Sequence, residues 1–427
     1  MKTDYDRNKK RVALLSIAIG FWLIAIPLTF EFKSKALLCS DLLSGVALIA
    51  LGTMSWTFRR IWSGWAIAGV GIWLQLAPLV FWAPSALNYI NDTLIGIILI
   101  ALSFYLISSP LSESEAGPGI PRGWSYNPSS WLPRLITVGL AMLCWTFSRY
   151  LAAYQLGYIG EMWDPIFKNG TLQVITSKIS HDFPVSDAGL GAFVYTLEFL
   201  LGWHGGSRRW HTMPWLVFSF GLLVVPVGLV SIILIILQPV AVGAWCSWCL
   251  ATATCMLGMI LLSGSEIIAT IAFLKQAGDQ GDSVWKVLWK GKKVDGAGPI
   301  ANPKRRKKGE IAWGFYPCWN LVTLLFLGAY LMLSPYLFSS AGGVATAQYI
   351  IGPLMITFSV VSMVEVYRAA RFAHILLGAV LIIISLIASA SAYATWNAVL
   401  VGLIASAISI PRGVVRERYG SWDRYIV

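Results

Sequence analysis

Charge is scarce in this chain: Asp, Glu, Lys and Arg make up 12% of its 427 residues, whereas apolar residues make up 57%. The sequence has only four histidines and six cysteines, and it contains no phosphate-binding glycine loop, dinucleotide fingerprint or zinc-ligand spacing. These absences argue against a soluble nucleotide-dependent enzyme and against a zinc site. Long apolar runs recur instead, and they indicate a polytopic membrane protein.

The apolar runs predict an all-α protein with about twelve membrane spans. We expect these spans to start near Val12, Ala36, Ile61, Asp92, Ile136, Asp187, Pro214, Trp245, Tyr316, Ala347, His374 and Thr395. The span from Asp187 is short. The first run, residues 12–30, has no clear cleavage site after it, so we interpret it as a retained helix.

The net charge of +12 does not indicate a nucleic-acid partner, because most basic residues lie in alternate short connections between the apolar runs. This asymmetry is typical of cytoplasmic loops, and it places both termini in the cytoplasm. The exceptions on the predicted outer side are Lys33, Lys35, Arg149, Lys168 and Lys178. Arg149 is expected to pair with Glu161 or Asp164, or to reach the membrane interface.

Glycine, an aromatic ring and proline recur at one spacing in the flanking parts, at Gly20, Trp22 and Pro27, Gly71, Trp73 and Pro78, and Gly328, Tyr330 and Pro335. A second glycine follows in each of these units, at Gly45, Gly96 and Gly352. A fourth unit, which matches the pattern less well, has its two glycines at Gly378 and Gly402. Asp41 and Asp92 each lie four residues before that second glycine. We expect helical hairpins in which the glycines let the helices approach closely and proline ends the first helix at the outer face.

These units resemble the SPW repeat of bacterial membrane proteins, over roughly residues 10–104 and 320–423. The resemblance implies an arrangement of helices but no catalytic activity. It also places the chain in a bacterial inner membrane, so that the lipid bilayer is one of its expected partners.

The segment between the repeats contains Cys246 and Cys249 at the start of a long apolar run. Two thiols at i and i+3 lie on one face of a helix, and a helix N-terminus favours the thiolate form. The spacing therefore fits a redox pair, although two packed core cysteines remain an alternative.

Three features together resemble the vitamin K epoxide reductase family: the Cys-x-x-Cys pair, residues 174–177 and residues 191–202. The resemblance implies a four-helix bundle around a quinone, either ubiquinone or menaquinone. The predicted segments are 1–108 with two hairpins, a linker 109–132, the bundle 133–275 with an outer loop 155–186, a basic linker 276–314, and 315–427 with two hairpins and a tail. The linker 276–314 is expected to be either an interfacial helix or a solvated loop.

By this resemblance, Cys249 is the thiol beside the quinone and Cys246 is the thiol that exchanges with a second pair. Ser177 matches the family's loop serine, and Asp187 stands where an asparagine donates to a quinone carbonyl, which would require a protonated carboxyl. Gly191 and Tyr195 belong to the second-helix motif and complete the predicted quinone site. No metal site is predicted.

Two departures from the family affect the function. The outer loop lacks the usual cysteine pair, since Thr171 and residues 163–165 occupy those positions, and Ala253 replaces a tyrosine. Cys39, Cys144, Cys255 and Cys318 are expected to be structural.

Two hypotheses follow. The first is a thiol:quinone oxidoreductase whose partner, a periplasmic thioredoxin-like protein, meets Cys246 directly along an open path. The second is a scaffold or assembly subunit of a membrane complex that has lost the relay.

Labelling of introduced cysteines tests the predicted orientation. A Lys168→Cys variant should react with a membrane-impermeant maleimide in intact cells, because residue 168 is predicted outside. A Lys286→Cys variant should react only after the membrane is opened. The parent chain gives the background from the native cysteines, and the reverse pattern would show that the orientation is wrong.

Overall fold

The structure is a computed structural model that describes residues 2–58, 61–107, 116–294, 313–388 and 391–426. Over these ranges it is helical, and its β pairing is limited to two isolated bridges. Parts of both predicted linkers, residues 109–115 and 295–312, lie outside the described residues.

The helices follow the predicted runs. The N-terminal part forms α1 (Lys2–Thr29), α2 (Lys35–Phe58), α3 (Ile61–Val80) and α4 (Ala86–Ile107). The central part forms α5 (Trp131–Gln155), α6 (Gly170–Ile175), α7 (Lys178–His181), α8 (Asp187–Trp203), α9 (Arg209–Thr212), α10 (Pro214–Leu237), a π-helical turn (Gln238–Val242), α11 (Ser247–Asp279) and α12 (Val284–Lys290). The C-terminal part forms α13 (Trp319–Leu337), α14 (Gly343–Met363), a 3₁₀ segment (Glu365–Phe372), α15 (Ala373–Ile387), α16 (Ala392–Ser409) and a 3₁₀ segment (Gly420–Tyr425).

Within the described ranges, 11 helices are long and apolar enough to cross a membrane, which confirms the prediction of an all-α polytopic membrane protein. Helix α8, the predicted span from Asp187, accounts for the difference from the predicted number. It has 17 residues and is therefore about 26 Å long, slightly less than the hydrocarbon core of about 30 Å.

By its internal contacts, the chain divides into two compact units. The first comprises Met1–Pro110 and Met142–Leu200, so it contains the N-terminal repeats and the outer loop. The second comprises Leu111–Ala141 and Leu201–Val427, so it contains helix α11 and the C-terminal repeats.

In the first unit, the repeat glycines mark the points where paired helices come closest. A β-carbon added at Gly20 would lie 2.7 Å from the backbone oxygen of Gly45, and one added at Gly96 would lie 2.6 Å from that of Gly71. No larger residue fits such an approach without moving a backbone. The predicted glycine contacts are therefore confirmed.

The two N-terminal hairpins also bond to each other reciprocally. Trp22 Nε1 donates to Asn91 Oδ1 at 3.2 Å, and Trp73 Nε1 donates to Ser40 Oγ at 2.9 Å. Each repeat thus uses its tryptophan to reach the second helix of the other, as expected for hairpins related by a pseudo-two-fold axis. Buried side chains from both repeats fill the core between them, including Leu23, Leu48, Leu74 and Leu99.

The C-terminal repeats in the second unit use the same glycine contacts. A β-carbon at Gly352 would lie 2.8 Å from the Gly328 oxygen, and one at Gly402 would lie 2.8 Å from the Gly378 oxygen. The decayed fourth copy therefore still forms a hairpin, because the glycines suffice for the helices to approach.

The repeat prolines lie at the same distance from the C-terminal ends of their helices. Pro27, Pro78 and Pro335 are each the third residue from the end of α1, α3 and α13. Proline cannot continue a helix far beyond its own position, so it sets where each first helix stops. That these ends lie at the outer interface stays a prediction.

In the second unit, two buried arginines satisfy the carbonyl groups at the end of α8. Arg209 pairs with Glu266 at 2.7 Å, and Ser129 Oγ donates to the same carboxylate at 2.5 Å. Arg134 and Arg209 both donate to the oxygens of Gly202 and His204, among others. Burial, followed by the charges of Arg209 and Arg134, lowers the pKa of His204 to about 4, so this neighbouring ring stays neutral.

The C-terminal tail packs back onto the second unit. The Glu365 carboxylate accepts the amides of Arg416 and Glu417 and the hydroxyl of Tyr419 at 2.9 Å. Burial raises the pKa of Tyr419 well above its usual value, so the hydroxyl stays protonated and donates. The Tyr419 ring meets Trp124 edge-on at 5.0 Å. The tail and the segment before α5 therefore form one packed layer.

The described start of the basic linker is helical. Val287 of α12 is buried in a cluster with Trp210 and Phe273, while Trp285 remains 69% exposed. This arrangement favours the interfacial helix over the solvated loop, because apolar aromatic surface faces away from the protein.

The glycine contact in the second hairpin predicts a large difference between two neighbouring sites. Gly96→Ala should lower the melting temperature of the purified protein, because the added carbon meets the Gly71 carbonyl; overpacking of this kind costs about 1–3 kcal/mol. Gly69→Ala is the matched control, since nothing lies within 4 Å of its β-carbon position. Equal melting temperatures for the two variants would contradict the close approach.

Candidate redox and quinone site

Cys246 and Cys249 form a disulfide at the start of helix α11, with their Cα atoms 5.3 Å apart. Cys246 is the N-cap residue, and its sulfur accepts the amide of Cys249 at 3.1 Å. The sulfur therefore faces the positive end of the helix dipole. The predicted position of the pair in the first turn of a helix is confirmed.

The two sulfurs differ in accessibility. Cys246 is fully buried, and its amide donates to Gln238 Oε1 at 2.9 Å. Cys249 is only partly buried. The expectation of an open path to Cys246 is wrong for this structure, because Cys246 has no exposed surface. Gln238 belongs to the π-helical turn before α11. Gly243, with φ of 73°, joins that turn to the cysteine segment.

The other cysteines lie away from this pair in the chain and pack differently. Cys144 and Cys318 are buried, as expected for structural residues, while Cys255 is half-buried and Cys39 is exposed. Cys318 accepts a hydrogen bond from Arg368 Nη1 at 3.1 Å.

In the first unit, Asp187 begins helix α8 inside a polar network. Its two carboxylate oxygens accept from Gln155 Nε2 at 2.5 Å, from Ser180 Oγ at 2.9 Å and from the Ala188 amide at 2.7 Å. Asp187 therefore acts as an acceptor here, unlike the donor that the resemblance requires.

Ser177 is tied to the same network. Its hydroxyl donates to the Val174 oxygen at 2.7 Å and caps the short helix α7. Ser180 of that helix bonds Asp187, so the two predicted loop residues are linked through Ser180. The hydroxyl of Ser177 stabilises the loop itself.

Gly191 and Tyr195 lie together one turn apart on α8. A β-carbon added at Gly191 would lie 3.4 Å from Ser148 Oγ and 3.7 Å from Tyr195 Cε2, which are ordinary contact distances. Tyr195 is buried. Gly191 therefore packs beside the Tyr195 ring and the Ser148 hydroxyl.

The positions of the missing loop cysteines are joined by a hydrogen bond. Asp164 Oδ2 accepts the amide of Thr171 at 2.7 Å, and Oδ1 accepts those of Ile166 and Phe167. The loop is therefore closed on itself by backbone bonds at the point where the family has a redox pair.

The outer loop is also held by the N-terminal repeats. Tyr158 Oη donates to the Ala83 oxygen at 2.6 Å, and Trp82 Nε1 donates to the Pro184 oxygen at 3.3 Å. Burial raises the pKa of Tyr158, so its hydroxyl stays protonated and donates. The loop between α3 and α4 is thus a support for the outer loop.

Arg149 contradicts one expectation. It donates to Thr93 Oγ1 at 2.8 Å and lies over the rings of Tyr89 and Trp145, and it forms no ion pair among the described residues. The predicted pairing with Glu161 or Asp164 is wrong, because α5 turns this side chain toward α4 rather than toward the loop.

Sequence reasoning missed Gln155, Ser180, Ser186 and Ser148. Gln155 is the centre of the loop network: its amide nitrogen donates to Ser180 at 2.8 Å, and its oxygen accepts from Ser186 at 2.5 Å. The sequence feature that could have revealed Gln155 is a single amide side chain at the very end of an apolar span. A polar side chain at such a position usually hydrogen-bonds free backbone groups or a neighbouring segment.

The comparisons with known proteins agree with the predicted resemblances. Residues 135–263 match the Vitamin K epoxide reductase family, and residues 10–106 and 318–411 match the SPW repeat domain. The first match contains every predicted site residue. No curated protein and no solved structure matches the chain.

Gln155 should control the order of the outer loop. In a Gln155→Leu variant, the amides of residues 178–189 should exchange hydrogen for deuterium faster, because Ser180, Ser186 and Asp187 lose their common partner. Gln173→Leu is the matched control, since Gln173 is exposed on α6. Unchanged exchange in Gln155→Leu would mean that the network does not order the loop.

Proposed function

We propose that this chain, in which a vitamin K epoxide reductase family segment lies between SPW repeats, is a membrane thiol:quinone oxidoreductase. It would work at the outer face of a bacterial inner membrane, where a disulfide can persist. The observation that carries the proposal is the Cys246–Cys249 disulfide at the start of α11.

The helix start supports redox turnover rather than simple cross-linking. When the disulfide is reduced, Cys246 sits at the N-cap, where the Cys249 amide and the helix dipole stabilise its thiolate. The thiolate is the species that reacts in thiol–disulfide exchange, so a helix start that stabilises it favours redox turnover. A structural disulfide would gain nothing from this placement.

The exchange step balances as follows. A thiolate of a thioredoxin-like protein attacks one sulfur, forms a mixed disulfide, and the other sulfur leaves as a thiolate. The second thiol of the partner then attacks the partner's own sulfur in the mixed disulfide and releases the bonded cysteine as a thiolate. The partner thereby gains a disulfide, and Cys246 and Cys249 become a dithiol. Re-forming the disulfide releases two electrons and two protons, which a bound ubiquinone or menaquinone would accept.

The order of the two sulfurs is the finer part of the proposal. The resemblance assigns exchange to Cys246, yet Cys249 is the more accessible sulfur. Exchange at Cys246 therefore requires the segment after Gly243 to move and break the bond to Gln238. We propose that this opening, rather than a permanent path, admits the partner.

The residues proposed to hold the quinone are Ser177, Asp187, Gly191 and Tyr195. Gly191 packs beside the Tyr195 ring and the Ser148 hydroxyl. The Asp187 carboxylate orders the loop through the hydrogen bonds that it accepts. It would donate a hydrogen bond only when protonated. Gln155 holds Asp187 in place.

A second candidate function is a scaffold or assembly subunit of a membrane complex. The bond between Asp164 and the Thr171 amide supports it, because the loop is closed by groups that cannot change redox state. In that case the disulfide would only brace the start of α11.

Turnover of the purified protein in lipid nanodiscs separates the two functions. With a reduced thioredoxin-like protein, or dithiothreitol, and ubiquinone or menaquinone, quinone reduction should be measurable and should fall to background in Cys249→Ala. Cys255→Ala is the matched control on the same helix, and it should retain nearly full activity. No turnover with either quinone, together with normal assembly of a Cys246→Ala, Cys249→Ala double variant, would favour the scaffold.

A further inference from the structure

The N-terminal repeats place two carboxyl groups at matching positions inside the membrane-spanning region. Asp41 on α2 and Asp92 on α4 each lie four residues before the glycine of their hairpin contact. Each directly follows a residue that the other repeat's tryptophan bonds, namely Ser40 and Asn91. The pseudo-symmetry therefore brings both acids to the interface between the two hairpins.

Both carboxyl groups are fully buried and largely without partners. Asp41 and Asp92 have no exposed surface, and neither oxygen of Asp41 accepts a hydrogen bond among the described residues. Asp92 Oδ1 accepts from Asn91 at 3.0 Å, while its Oδ2 has no partner there. Two ionised carboxylates in this setting would be strongly unfavourable.

No positive charge in the described part of the chain neutralises the pair. Arg149, which contacts α4 beside Asp92, donates to Thr93 and lies over the rings of Tyr89 and Trp145 instead. The other titratable groups facing this region are Tyr89 and Tyr158, which are neutral hydroxyls. The missing positive charge must come from a bound species.

We propose that Asp41 and Asp92 form an intramembrane proton-binding site, in which at least one carboxyl is protonated at neutral pH and the pair takes up and releases a proton. A proton is the smallest cation, and it needs no further ligands. The oxygens available from two aspartates and one amide are fewer than the six or more that larger cations such as Ca²⁺ require.

A groove of about 750 Å³ lies between α2 and α3 and is lined mostly by apolar side chains. Ser40 and Ser44, which flank Asp41 on α2, are the hydroxyl-bearing residues of its lining. Their hydroxyls can donate and accept, as proton transfer requires.

The C-terminal repeats provide an internal comparison. The residues four before their contact glycines are Gln348 and Ala398. Gln348 is also fully buried, and neither its Oε1 nor its Nε2 has a partner among the described residues. The same register position thus carries a buried polar group in three of the four copies, but an ionisable one only in the N-terminal repeats.

Infrared spectroscopy of the full-length protein in nanodiscs tests the site. With aspartate carrying ¹³C at its side-chain carboxyl, the wild type should show, at pH 7, a carbonyl band of a protonated aspartic acid. The band should persist, shifted in frequency, in Asp41→Asn and in Asp92→Asn, and it should vanish in the double variant. Raising the pH should remove it.

Two control variants make the result specific. Glu198→Gln removes another buried carboxyl with no partner among the described residues, and it should leave the labelled band unchanged. Asp182→Asn removes an exposed aspartate and should also leave it unchanged. The Asp41→Asn, Asp92→Asn double variant must keep the melting temperature of a folded protein. If the double variant does not fold, the test uses the two single variants instead.

Two results would overturn the proposal. The first is a wild type without the labelled band at neutral pH, which would mean that both carboxyls are ionised. The second is a melting temperature that rises with sodium chloride but not with N-methylglucamine chloride, and does so only while both aspartates are present, which would assign the site to a metal cation.

Discussion

Polar groups buried in an apolar layer must find their partners within the protein, because water does not reach them. The end of α8 shows how this chain meets that constraint. Its carbonyl oxygens accept from Arg134 and Arg209, and Glu266 neutralises the second of these arginines. Removing one partner of such a buried pair typically costs about 3–5 kcal/mol. The clamp therefore fixes the end of α8 to α11, the helix that carries the cysteine pair.

The same constraint separates the two kinds of repeat. Glycine contacts bring the helices of every hairpin together, and they leave little space for polar side chains. In the C-terminal repeats Tyr330 satisfies Asn397, which in turn donates to Ser334. In the N-terminal repeats three of the four aspartate oxygens have no partner among the described residues, and neither do the amide atoms of Gln348 in the C-terminal repeats. The N-terminal repeats differ in that their unpartnered groups are ionisable.

The cysteine pair begins a helix, and the outer loop has no cysteine where the family carries a second pair. The N-cap sulfur of Cys246 has the surroundings of an exchangeable thiol, but it is buried. The outer loop is closed by Asp164, and it is bonded to Ala83 and Trp82 of the segment between α3 and α4. A chain of this design would depend on local opening near Gly243 to react, and slow, gated exchange is the natural consequence.

The sequence alone determined the helical class, the repeats, the contact glycines and the placement of Cys246 and Cys249 in a first helical turn. These features are local or periodic, so spacing reveals them. Only the tertiary structure decided the direction of Arg149, the burial of Cys246 and the network around Gln155. Arg149 and Gln155 depend on contacts with residues from distant parts of the chain, such as Thr93 and Asp187. The bond between Cys246 and Gln238 depends on a π-helical turn. Sequence spacing carries no information on such a turn, because its extra residue changes the side-chain register without leaving a pattern.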